Sequence, residues 1–273
     1  MVLYQPVKDL LNLTVAFMKW RARSKAQAPG RELCECFLRL FAAQHIQAHQ
    51  ISRVFPAEYN AAPADFISDE RLLGRLDERL LSHACDLFGV ERGWLDGTGS
   101  RAYPLHFCYK NLGAAVELLQ RLRASHENLS FYVVKGSDNR LDKGRNSDTM
   151  LTFLRGEVIT FDDITICRDY VFADRWNWSH PPSRLELKAL CWIAWQFGAH
   201  PTCINAKTRD IQQFCDGELL CGELIDRADG ENWHLDDYIF TDDESCCAKD
   251  PEEAALMMKH LDKLGLLQGF PTR

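Results

Sequence analysis

Residues 77–97 read DERLLSHACDLFGVERGWLDG. Asp77 is a natural N-cap, because its carboxylate can accept from the free N–H groups of a first helical turn. Glu78 follows where the helix dipole favours negative charge. Leu80, Leu81, Ala84, Cys85 and Phe88 recur at three- and four-residue spacing and mark one apolar face. Gly89 then takes the position past the helix end, where a left-handed backbone suits glycine. Trp94 and Leu95 come shortly after, and Asp96-Gly97 reads as a turn.

Upstream the pattern stays helical. Glu32–His45 places Leu33, Cys36, Phe37, Leu40 and Phe41 on one face, Ala48–Phe55 is a short helix stopped by Pro56, and Asp69–Leu76 is another. Between them Tyr59–Ser68 is turn-rich and contains Pro63. Residues 5–20 form an amphipathic helix through Val7, Leu10, Leu11, Val15 and Met18, and Arg21–Arg31 is a basic linker with Pro29-Gly30.

Residues 31–100 resemble a lambda-repressor-like (XRE-type) helix-turn-helix domain. The resemblance is carried by Phe88-Gly89-Val90 and Trp94-Leu95 at the end of the quoted stretch, and by HIQAHQISRVF, His45–Phe55, which resembles the family's second helix with Gln50-Ile51 in the place of its usual Gln-Leu or Glu-Leu. It implies a five-helix DNA-binding domain whose recognition helix would fall near Ala61–Ser68. That segment reads AAPADFIS and departs from the pattern: it has no Arg, Lys, Asn or Gln, the residue types that read base edges in the major groove. Tyr59 and Asn60 precede it. The expected DNA contacts are therefore phosphate contacts from Lys19, Arg21, Arg23, Lys25, Arg31 and Arg53, with Asn60 nearest the groove.

Downstream of Gly97 the period changes. Tyr103–Lys110 is a connector, and Asn111 caps a helix through about Ser125 with Leu112, Val116, Leu119 and Leu122 inward. Phe131–Val134, Met150–Leu154, Glu157–Phe161 and Ile164–Phe172 read as strands of an antiparallel meander, with Arg155-Gly156 and Asp162-Asp163 as turns. Ser183 and Glu186 have capping-box spacing ahead of an apolar helix Arg184–Phe197. Asp250 and Pro251 open a last helix, with Glu252 and Glu253 complementing its dipole and Gly265 ending it. The expectation is an α+β chain in three parts: an N-terminal helix and basic linker (1–30), a helix-turn-helix-like domain (31–100), and an α+β domain with a small antiparallel sheet and an acidic C-terminal region (111–273).

The chain has 273 residues, 46% hydrophobic and 26% charged, which excludes global disorder. No apolar run reaches the roughly 20 residues of a membrane span, and the N-terminus has no signal-peptide pattern, so the expected location is the cytoplasm. Charge is uneven. Residues 1–56 hold eight basic and three acidic side chains, a net of +5, which leaves −12 for the remainder of a chain of net charge −7. Asp210–Glu253 carries most of that negative charge. A basic head attracts phosphate. An acidic tail suits a basic protein partner or folds back on the head.

The chemistry-bearing residues admit several readings. The eleven cysteines form no CxxC pair, and read as small buried hydrophobes. A loose zinc site from Cys203, Cys215 and Cys221 with His200 or His234 is the alternative. Asp162, Asp163 and Asp169 with Glu186-Leu187-Lys188 have the residue types of a metal-dependent nuclease; helix capping and surface charge are the favoured reading of them. Trp176 and Trp178 share one face of an extended segment and read either as core or as a stacking surface. No catalytic residue, cofactor or metal is assigned. The expected function is a DNA-binding transcriptional regulator whose C-terminal domain senses a signal or forms a homodimer. The alternative is a non-enzymatic adaptor that uses the helical domain and the acidic region for protein–protein contact.

Overall fold

The computed structural model describes residues 29–137, 141, 149–172, 175–229, 233–234, 251–268 and 270. The helix expected over 5–20, most of the basic linker, residues 142–148 and most of the acidic stretch between 230 and 250 lie outside the described residues.

The first layer is helical: α1 (Pro29–Ala42), α2 (Ile51–Val54), α3 (Asp69–Arg75), α4 (Glu78–Phe88) and α5 (Arg92–Leu95). Helix α4 forms as its capping residues require. Asp77 Oδ1 accepts from the Leu80 N–H at 2.8 Å, and Gly89 ends the helix at φ 73° with its N–H on the Cys85 carbonyl at 2.9 Å. The apolar face of α4 meets the aromatic residues of α1, where Phe41 stands edge-on to Phe88 at 4.9 Å. Residues 61–68 form no recognition-type helix. They make one 3-10 turn, Pro63–Phe66, whose Phe66 is buried and stacks on Phe37 and Phe55 at 6.3 Å. A short apolar segment is anchored inward here, with no polar face to offer outward.

The second layer is a six-stranded sheet of β1 (Leu105–His106), β2 (Leu129–Gly136), β3 (Thr149–Phe161), β4 (Ile164–Phe172), β5 (Trp176–Asn177) and β6 (Pro201–Ala206). The order is β1-β4-β3-β2-β6, with β5 also paired to β3. The antiparallel meander is present as β2-β3-β4, but the turn expected at Arg155-Gly156 is absent, because both residues pair with β2 and β4 inside the unbroken strand β3. Strand β1 runs parallel to β4 and β6 parallel to β2. The sheet is therefore mixed, not purely antiparallel. The difference comes from PTCINA, residues 201–206, whose apolar positions are broken by Thr202 and Asn205. It becomes a strand because the preceding helix carries the chain back across the sheet and Gly198, at φ 78°, turns it down beside β2.

Two cores result, one on each face of the sheet. The helical layer and two later helices, α8 (Thr208–Cys215) and α9 (Cys221–Asp226), bury one face against Val134, Leu151, Phe153 and Val171. Helices α6 (Leu112–Ser125), α7 (Pro181–Gln196) and α10 (Pro251–Lys263) bury the other against Phe131, Val133, Met150 and Leu154. Alternate residues of β2 thus enter different cores, the period expected of a strand covered on both faces. The α+β class holds, and the helical N-terminal half shares its core with the sheet. Helix α7 starts at Pro181 with His180 as N-cap, not at Ser183. The two prolines tolerate a first turn, and Ser183 instead accepts from the Asn177 N–H at 3.0 Å.

The layers interlock along β4. Strand β1 covers only Val171 and Phe172, so the rest of that edge needs protection. Gln44 supplies it by imitating a strand residue: its amide donates to the Cys167 carbonyl and accepts from the Cys167 N–H, both at 2.6 Å. Gly89 comes down beside it, where a Cβ would lie 2.8 Å from the Asp169 carbonyl oxygen. Gly89→Ala combines that clash with a left-handed backbone and is expected to destabilise by about 2 kcal/mol. Denaturant unfolding checks this; an unchanged midpoint would show that the contact has no such cost. No helix among the described residues is long and apolar enough to cross a membrane.

Candidate functional site

Lys19, Arg21, Arg23 and Lys25 lie outside the described residues. The other DNA-contact residues expected from sequence do not converge. Arg31 pairs with Glu35 at 3.1 Å and Asp69 at 3.6 Å. Arg53 is held by the β3–β4 turn, with one nitrogen 3.0 Å from Asp162 and another 3.0 Å from Asp163. Gln50 donates to Asp163 at 2.9 Å. Asn60 is exposed at φ 46° and ends the turn Ala57–Tyr59. The carboxylates thus occupy the guanidinium of Arg53 where a phosphate was expected.

The metal-type constellations also separate. Among the described residues no group of three His, Cys, Asp or Glu is placed to hold a metal. Cys203 and Cys221 lie in cores on opposite faces of the sheet. Asp169 pairs with Arg155, Glu186 with His260 at 2.9 Å, and Lys188, which is fully buried and not a surface charge, with Glu253. Trp176 and Trp178 are core residues, and Trp176 Nε1 donates to Thr152 Oγ1 at 3.0 Å.

One cleft does bring unclaimed charge and apolar wall together. It lies between the linker 101–105, the end of β4 and α8, and has a volume of about 90 Å³. Three contacts build it. Leu105 pairs with Val171 as β1 joins the sheet. Gly217, at φ 74°, lets the loop after α8 sit on the backbone at Ser100, and its carbonyl accepts from Trp94 Nε1 at 3.0 Å. Buried Trp176 anchors the chain just after Arg175. Ala102, Leu105, Leu151, Val171 and Phe214 form apolar wall, and Arg101, Arg175 and Cys215 are the polar lining.

Both arginines are exposed, and among the described residues no ion pair engages either. By contrast Arg39, Arg53, Arg155 and Arg184 each hold a carboxylate. Burial pushes the Cys215 thiol up, although the hydrogen-bonded Arg175 and nearby Arg101 pull the other way. A protonated thiol is a poor nucleophile.

The back wall is rigid. Tyr103 donates to Asp169 at 3.4 Å and accepts from the Cys221 N–H at 3.1 Å, while Arg155 makes two bonds to Asp169 at 2.8 and 3.0 Å. Burial holds the Tyr103 phenol protonated, well above its ordinary range. Burial opposes the Arg155 charge, but Asp169 outweighs it and drives Arg155 up. These groups come from the linker, two strands and α9, so the wall ties both halves of the chain together.

In the sequence Tyr103–Lys110 reads as a connector, Arg101 and Arg175 are unmarked, and Cys215 enters only a loose zinc set that the described residues do not assemble. No local pattern joins Arg101, Arg175 and Cys215, since the fold assembles them from three separate segments. No family model, curated protein or solved structure matches this chain.

Proposed function

We propose that this chain is a regulator that senses a small organic acid, and that the cleft at Arg101 and Arg175 is its sensing site. The observation that carries this is two arginines without a carboxylate partner among the described residues, at the lining of a cavity that also presents the apolar wall of Leu105, Leu151 and Phe214. A cavity of about 90 Å³ exceeds the roughly 10–15 Å³ that one water needs. It falls well below the about 300–1,000 Å³ of sites for drug-sized ligands. The ligand is therefore short: a carboxylate on a few carbons, with its tail against Leu105, Leu151 and Phe214 and its anion at the guanidinium groups. Duplex DNA is the proposed target of the basic N-terminal segment. What supports that half is the +5 charge of residues 1–56, carried largely by residues other than Arg53, whose charge is already matched by Asp162 and Asp163.

Arg101→Gln and Arg175→Gln test the site. Each removes an exposed charge and leaves the cores intact, so folding should be unchanged. A hydrogen bond to a charged group is worth about 1.5–3 kcal/mol, and each substitution should weaken butanoate binding about tenfold or more by calorimetry. Equal affinity in the double variant would remove the proposed site.

A further inference from the structure

A second group of cations lies on the opposite side of β4 and takes no part in the cleft. Arg168 and Tyr170 stand two residues apart on β4, so they share a face. The Arg168 guanidinium lies 5.6 Å from the centre of the Tyr170 ring. Tyr170 is itself fixed. Its hydroxyl is 2.8 Å from His126 Nε2, and His126 Nδ1 is 3.0 Å from the Glu157 carbonyl oxygen. A carbonyl only accepts, so Nδ1 carries the proton, Nε2 accepts, and Tyr170 donates. Gly156 makes the seat for this imidazole, since a Cβ there would lie 2.7 Å from the ring. The chain Gly156–His126–Tyr170 therefore holds Arg168 in place.

Among the described residues no carboxylate pairs with Arg168. Its Nε is buried beside Gly89 without a hydrogen-bond partner. His106 on β1 has its ring 6.0 Å from that of Tyr170. Burial lowers the His106 pKa, and the charges of Arg121 on α6 and Arg168 lower it further. Arg168 and His106 thus meet at the Tyr170 ring within the field of Arg121, and among the described residues no ion pair engages either arginine. Asp86 and Glu91 line the groove on the α4 side of Arg168 together with Arg92. Glu117 lies one turn before Arg121 and is exposed. Among the described residues none of these three forms an ion pair with Arg121 or Arg168. Phe107, next to His106, is 70% exposed, the most exposed large apolar side chain described.

We infer that this edge of β4 is a phosphate-binding site made by Arg168 and His106 about the Tyr170 ring, with Phe107 beside it to stack the base of a nucleotide. A bound phosphate would supply the missing negative charge, and an aromatic face accepts any base. This site is independent of the acid-binding cleft, and none of the cleft's residues belongs to it.

Titration of the full chain, with histidine signals followed by NMR, tests the inference using inorganic phosphate and adenosine monophosphate as probes. With saturating phosphate the His106 pKa should rise by about one pH unit, because the anion offsets the field of the two arginines. Arg168→Gln should weaken both probes about tenfold or more, whereas Arg101→Gln should weaken neither. Phe107→Ala should weaken adenosine monophosphate and leave inorganic phosphate unchanged. A His106 titration that neither probe moves, or that chloride at the same ionic strength moves equally, would overturn the site. Equal affinity for the two probes, or indifference to Phe107→Ala, would overturn the nucleotide assignment.

Discussion

Glu253→Ala is expected to destabilise the chain by about 3–5 kcal/mol, the cost of removing the carboxylate from a buried ion-paired group. Glu253 stands near the start of α10 and accepts from Arg184 Nε at 2.8 Å, from another Arg184 nitrogen at 2.6 Å, and from Lys188. Both cations sit on α7; Lys188 is fully buried and Arg184 is 4% exposed. They also face the ring of Trp178, at 5.4 and 6.0 Å. A salt bridge of this kind contributes little over an apolar replacement of the whole group, but removing one partner alone is costly. Urea unfolding measures the loss; less than about 1 kcal/mol would mean that the cations find water or another anion.

The same group sets an acid limit. Burial works against the charged form of Glu253, but the hydrogen bonds from Arg184 and Lys188 prevail and lower it from 4.5 to about 2. Its folded pKa is below its unfolded value, so its stabilisation is complete above about pH 5 and is lost as pH falls from 4.5 toward 2. Glu253→Gln should remove this component, flattening the dependence of stability on pH across that window. An unchanged slope would assign the acid sensitivity elsewhere.

Asp169→Ala should cost a similar amount, again about 3–5 kcal/mol, for a reason that joins the two halves of the chain. Asp169 is 2% exposed and receives two bonds from Arg155 and one from Tyr103. Its loss strands the guanidinium between the sheet and the helical layer, and frees the Tyr103 hydroxyl behind the cleft. Small-acid binding should weaken along with stability. The double replacement Arg155→Met with Asp169→Leu distinguishes an orphaned charge from general damage, because apolar residues of similar size should recover most of the stability. Stability as low in the double variant as in Asp169→Ala would place the damage in packing.

Much of the fold was legible in local sequence. Asp77 and Gly89 bound α4 as their capping chemistry demands, Asn111 caps α6 through the Ala114 N–H at 3.3 Å, and Asp162-Asp163 turns the β3–β4 hairpin. What escaped depends on partners distant in the chain. Arg53 read as a phosphate contact because its carboxylates lie 109 and 110 residues away. Glu253 read as a dipole complement because its partners are 69 and 65 residues away. Strand β6 escaped because a six-residue strand with polar interruptions has too few positions to show a period. The cleft was the least legible feature, since Arg101, Arg175 and Cys215 have no common spacing and become one lining only when β1 joins β4 and Gly217 meets Ser100.

The most direct test of the sensing site is calorimetric titration of the full chain with straight-chain carboxylates of two to eight carbons, each set against the alcohol of the same length. Binding should appear for the short acids, vanish for the alcohols, and pass through an optimum as the tail fills the cavity. Alcohols binding as well as the acids, or no member of the series binding, would contradict the assignment of Arg101 and Arg175 as the anion-recognising pair.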